Sequence, residues 1–127
     1  MTGGELLALA ERVEGLNGPD RDTNEQILLA MGWSVVDRVL VDPSGNRVFS
    51  VPDYTASLDA AMSLVPEGCA PGVYRRDSDD WASMIFGPTW QTVADTRAKT
   101  AALVLTAAAL RARALATPIN TVSGGEG

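Results

Sequence analysis

The stretch YTASLDAAMSLVPEG, residues 54–68, decides how this chain is read. Thr55 or Ser57 supplies the hydroxyl of a helix N-cap, and Leu58, Ala61, Met62 and Val65 then recur at helical spacing. Pro66-Glu-Gly68 ends the segment, because proline lacks an N–H and glycine accepts the backbone turn that stops a helix. Helix formation and packing account for the whole pattern, and it contains no catalytic grouping. The segment therefore specifies structure first.

Towards the N-terminus the signals alternate between helix and strand. Thr2-Gly-Gly-Glu5 has the spacing of a capping box, followed by Leu6, Leu9, Ala10 and Val13 at helical spacing and a stop at Gly15. GLNGPDRD (15–22) is a loop, and a second helix is expected from Thr23 to Met31, with Ile27, Leu28 and Met31 on one side and Gly32 as its stop. WSVVDRVLV (33–41) is rich in β-branched residues, DPSGN (42–46) is a turn, and RVFSV (47–51) is a returning strand that Pro52 ends. Together they predict a β-hairpin.

Towards the C-terminus, GVYRRDSDDWASMIFG (72–87) predicts a second hairpin, with strands at Val73–Arg76 and Trp81–Phe86 and a polar DSDD turn. TWQTV (89–93) adds a short strand, and a long helix is expected from Asp95 to Ala116. The order implies an α+β domain, an antiparallel sheet of two hairpins with helices packed on it. One domain over residues 1–117 is expected, with a Gly-rich tail at 118–127.

Composition narrows the function classes. The 127 residues are 46% hydrophobic and 20% charged, as in globular proteins. The net charge of −6 repels phosphate backbones, which makes a nucleic acid polymer a poor partner. Acidity concentrates in residues 1–60, with ten acids against four bases; residues 61–127 hold six of each. A lone cysteine, Cys69, fits a reducing compartment. The N-terminus lacks the basic region of a signal peptide, and the apolar run TAALVLTAAAL (100–110) is too short for a bilayer. A cytoplasmic location without membrane association is expected.

GLNGPDRDTNEQILLAMGW (15–33), YTASLDAAMSLVPEG (54–68) and TAALVLTAAALRARALA (100–116), in this order, resemble the phage ABA sandwich domain proteins. The middle motif is the most specific of the three, joining its Tyr-Thr-Ala-Ser-Leu-Asp start to its Val-Pro-Glu-Gly stop. Two departures stand out: Cys69 follows the Pro-Glu-Gly where an aromatic residue is usual, and Arg97-Ala-Lys99 precedes the last helix in place of Thr-Pro. The resemblance implies α-β-α layers and a small phage or prophage protein working in the host cytoplasm. It supplies no catalytic residues and no cofactor.

The residues themselves limit the chemistry. Without histidine, no Ser-His-Asp or Cys-His arrangement and no histidine-based metal site can form. Cys69 has no activating base nearby in sequence. Asp77, Asp79 and Asp80 have oxygen ligands for a hard cation, but a solvated hairpin turn explains them better, so no metal is expected. Trp33, Tyr54, Trp81 and Trp90 fall near element ends, where pockets form and rings stack on nucleobases; Arg75 and Arg76 are suited to phosphate. These six are the candidate ligand-binding residues, set against the plainer reading that large aromatics fill cores.

The last helix is apolar on most sides, with Leu103, Ala107, Leu110 and Ala114 on one stripe and Val104, Ala108 and Leu115 on another. It is either the central helix of the core or a homo-oligomer interface, and a homo-oligomer through it is carried as an expectation. The reading that results is a non-enzymatic phage accessory protein that binds, in its most concrete form by sequestering a nucleotide signal of host immunity. Its rivals are an acidic module that blocks a host protein and a structural or assembly component.

Overall fold

The computed structural model describes residues 3–37, 39–48, 52–87 and 92–116. The elements are α1 (Gly3–Glu14), α2 (Arg21–Ala30), β1 (Ser34–Val36), β2 (Val39–Val41), β3 (Arg47–Val48), α3 (Leu58–Met62), β4 (Ala70–Asp77), β5 (Asp80–Phe86), β6 (Thr92–Ala98) and α4 (Ala101–Ala116). The strands form two three-stranded antiparallel sheets, β1-β2-β3 and β4-β5-β6. The α+β class, with helices packed on an antiparallel sheet, is thus realised, and the two hairpins belong to separate sheets. Among the described residues no helix is long and apolar enough to cross a membrane.

The second sheet and α4 build the core. Across its strands, Trp81 stands opposite Ala98, Ser83 opposite Thr96, and Ile85 opposite Ala94. Cross-strand partners project to one side, and this row, buried apart from the half-buried Trp81, is the side that meets α4. The alternate residues of β6, Asp95 and Arg97, are exposed. On its other sides α4 is covered by α1 and α3. Every residue from Ala102 to Leu110 is buried. Alanines at 107, 108 and 109 allow these layers to approach, and so does Gly3, where an added Cβ would lie 3.2 Å from the Ala114 carbonyl oxygen.

Of the two readings of the last helix, the central core helix is the one observed. Over residues 102–110 its surface is spent inside the protein's own fold, so this stretch leaves no face for an oligomer.

Three local expectations are corrected. Residues 33–41 form two strands rather than one, because Asp37 takes φ 51° between β1 and β2, and aspartate tolerates this left-handed conformation. Residues 95–98 continue β6 instead of opening the helix, since their alternation of buried and exposed side chains is that of a strand. The helix instead starts behind Thr100, whose hydroxyl accepts from Leu103 N–H at 3.1 Å. In α3, Ser57 is the N-cap and Thr55 is not; the inward residue is Ala61, with Leu64 buried just past the helix end, whereas Leu58 and Met62 are exposed.

One ion pair ties α1 to α4. Arg111 donates to both carboxylate oxygens of Glu14, at 2.6 and 2.8 Å, and the Thr96 hydroxyl donates to the same carboxylate. Burial alone would push the Glu14 carboxyl up, but the bonds from Arg111 and Thr96 prevail and hold it below the usual glutamate range. A depressed folded value contributes stability above the unfolded value and loses it as pH falls through the folded one. The urea midpoint is therefore expected to fall from roughly pH 5 downward. Glu14→Gln should be less stable near neutrality and should show a shallower acid decline; an unchanged slope would remove Glu14 from the account.

Candidate functional site

The local chemistry of residues 19–33 builds one wall of an open groove. Asp20 is the N-cap of α2: its carboxylate accepts from Thr23 N–H at 2.9 Å and from the Thr23 hydroxyl. Those bonds, led by the hydroxyl, hold the Asp20 carboxyl below its ordinary range, so it stays ionised. Thr23, Asn24, Ile27 and Leu28 are buried, while Leu29 on the outer side is 61% exposed. At the other end Trp33 N–H bonds to Leu28 O and Gly32 N–H to Leu29 O, at 3.0 and 3.1 Å. This is a Schellman turn, and Gly32 takes the positive φ of 96° that it needs. The turn sends the chain directly into β1.

The first sheet forms the opposite wall. DPSGN folds as the expected turn: Asp42 Oδ1 accepts from Ser44 and Asn46 N–H groups at 2.9 Å, and Gly45 has φ 89°. Val35 and Leu40 are cross-strand partners and project to the same side, towards α2. Val35 is 65% exposed. Between these walls lies a groove of about 650 Å³. Leu28, Leu29, Val35 and Leu40 line it, and Asp20, Glu25 and Asp53 stand on its rim. Among the described lining residues the one cation is Arg21, which lies 3.6 Å from Glu25, its neighbour one helical turn on.

A buried polar clamp fixes the rim. The Asn24 amide donates to Pro52 O at 2.9 Å and accepts from Tyr54 N–H at 2.7 Å. The Thr55 hydroxyl accepts from Asp20 N–H and donates to Asp53, each at 3.0 Å, while the Thr106 hydroxyl of α4 donates to Tyr54 O at 2.7 Å. The PDRDTNE and DYTAS segments are thereby locked to each other and to the core helix. Clustered signals in both segments were visible in the sequence, but their pairing was not.

The six candidate ligand-binding residues fall in different places. Tyr54 is 3% exposed; the Trp33 indole N–H donates to its hydroxyl, and burial pushes that hydroxyl above the usual tyrosine range despite this bond and nearby Arg113. Trp33 and Trp81 are half-buried and pack against the same core cluster. Arg75 is exposed opposite Trp81 across β4 and β5. Arg76 lies 3.6 Å from Asp80, which Arg97 also binds through two nitrogens. Trp90 lies outside the described residues. None of the five described is among the residues lining the groove, so the structure joins Trp33 to Tyr54 and sets Arg75 across from Trp81, without gathering all five.

The acidic turn and the cysteine have ordinary surroundings. Asp80 is turned onto Arg97 and Arg76, which hold its carboxyl below the usual range. Among the described residues no three Asp, Glu or Cys side chains converge as a metal-binding group. Cys69 is half-buried against the core cluster. The groove residues Leu29, Val35 and Leu40 escaped the sequence reading, because an apolar residue on a helix or strand reads as core until the fold leaves it uncovered. Compared with known proteins, the chain matches no family model, no curated protein and no solved structure.

Asn24→Ala would leave Pro52 O and Tyr54 N–H without their partner, and is expected to cost about 2–4 kcal/mol in urea unfolding. Thr106→Val removes one donor and should cost about 1 kcal/mol. A loss for Asn24→Ala no larger than for the exposed Gln26→Ala would show that the clamp carries no weight.

Proposed function

We propose that this chain is a non-enzymatic binding protein whose working surface is the groove between α2 and the first sheet, and whose ligand is a segment of another protein carrying apolar side chains and positive charge. The observation behind this reading is the uncovered pair of walls, with Leu29 and Val35 more than half exposed under a rim of carboxylates. Exposed apolar surface bounded by polar groups marks interaction sites, and carboxylates at the edge favour basic partners and speed their capture. The resemblance to phage ABA sandwich domain proteins supports a phage accessory protein that blocks a host protein in the host cytoplasm. Sequestration of a nucleotide is the second reading. Exposed Arg75 across from the half-buried Trp81 favours it, whereas the acidic groove repels phosphate.

Selection of random displayed peptides on the protein tests the first reading. Enriched peptides should combine Leu, Ile or Phe with Lys or Arg, and should lose about tenfold or more in affinity on Leu29→Ser or Val35→Ser. Peptides that bind these variants as well as wild type would sink the groove assignment. Native mass spectrometry with cyclic and linear nucleotides tests the second: bound nucleotide lost on Arg75→Ala and Trp81→Ala, with the groove variants unaffected, would move the function to the second sheet.

A further inference from the structure

Leu29 belongs to two depressions. Besides the groove against the first sheet, it lines a hollow of about 430 Å³ between α1 and α2, walled by Glu5, Ala8, Leu9, Arg12 and Gln26. The two hollows share this one exposed leucine, and together they make a track across α2 whose apolar lining is Ala8, Leu9, Leu28, Leu29, Val35 and Leu40. Among the described residues along it the carboxylates are Glu5, Asp20, Glu25 and Asp53, against Arg12 and Arg21, an excess of two negative charges. Arg12 is already engaged, donating to Gln26 at 3.2 Å and lying 3.9 Å from Asp20.

The walls also say what form the ligand takes. They are mostly helical surface, whose backbone groups are bonded within α1 and α2, and the flanking edge strand β1 is only three residues long. An extended peptide would lay unpaired backbone N–H and C=O groups against leucine and valine, at a cost that few strand hydrogen bonds can offset. A helix satisfies its own backbone and presents only side chains. Two hollows either side of a central leucine fit apolar anchors one and two turns apart on a helix face.

Resting on the groove reading above, we infer that the track receives an amphipathic, basic α-helix of a partner protein, with Leu29 at the centre of the contact. Apolar anchors enter both hollows, and lysine or arginine residues on the flanks face Glu25, Asp20 and Asp53. The exposure of Leu29 makes its substitution harmless to the core, so it isolates binding from folding.

The probe is a synthetic Leu/Lys peptide of about 18 residues with helical periodicity, compared with a peptide of the same composition in strict alternation, which favours strand, and with a Leu/Glu helix. Fluorescence titration and circular dichroism should show micromolar binding of the Leu/Lys helix, with helicity gained on binding. Leu29→Lys should weaken it about tenfold or more, Glu25→Lys several-fold, and Leu58→Lys, on α3 and in neither hollow's lining, not at all. Equal binding to all variants, or equal binding of the Leu/Glu helix, would overturn the proposal together with the groove reading. Tighter binding of the alternating peptide, still dependent on Leu29, would overturn the helical form and keep the groove. A Leu29-dependent dimer of the protein alone would assign the track to a second copy and overturn the proposal.

Discussion

A helix without a polar face has to be enclosed, and the architecture is the solution to enclosing α4. From Ala102 to Leu110 every side chain is removed from water, with Thr106 the only polar one among them. The second sheet takes one side, and α1 and α3 take the others. Alanines give this helix little side-chain volume, so the layers around it sit close and the main contribution is close packing rather than bulk. Its polar side chains are matched one by one: Arg111 to Glu14, Arg113 to the Leu64 carbonyl at 2.6 Å, and Thr106 to the Tyr54 carbonyl. Each match also names a different element that α4 holds in place.

The Thr106 bond extends that order to the surface. Through Tyr54 and Asn24 it connects the core helix to the segment that carries Asp53, and through Thr55 to the cap of α2. The groove rim is thus positioned by buried hydrogen bonds, which are directional and tolerate little displacement. The opposite wall is held differently. Among the described residues the first sheet packs chiefly on its own strands, joined to α2 by the turn at Gly32 and Trp33. One wall is fixed and the other is lightly supported, an arrangement suited to admitting a bulky ligand.

Much of this was legible in the sequence, in physically identifiable places. The faces of α1 and α2 followed from apolar spacing, and the DPSGN turn from its aspartate and glycine. What failed was arbitration between competing signals. Ala94, Asp95, Thr96, Arg97 and Ala98 favour helix by several of their propensities, yet their alternation decides for strand once α4 covers one face. Asp37 breaks a β-branched run without a glycine to announce it. Aromatic residues drew attention as ligand contacts, and Tyr54 turned out to have 3% exposure. The groove was hidden for the opposite reason, since Leu29 and Val35 become unusual only when nothing in the fold covers them.

The pairing of α1 with α4 has a consequence for how the chain acquires this structure. Glu14 and Arg111 are separated by 97 residues, and Leu6, Leu9 and Val13 find their main apolar partners on the same distant helix. Closing a loop of that length carries an entropic cost before any of these contacts is gained, and topologies dominated by such contacts fold slowly for their size. A nascent chain that has not yet released α4 from the ribosome holds a helix and a sheet with uncovered apolar faces. Emergence of residues 101–116 is thus the step at which the core can first assemble.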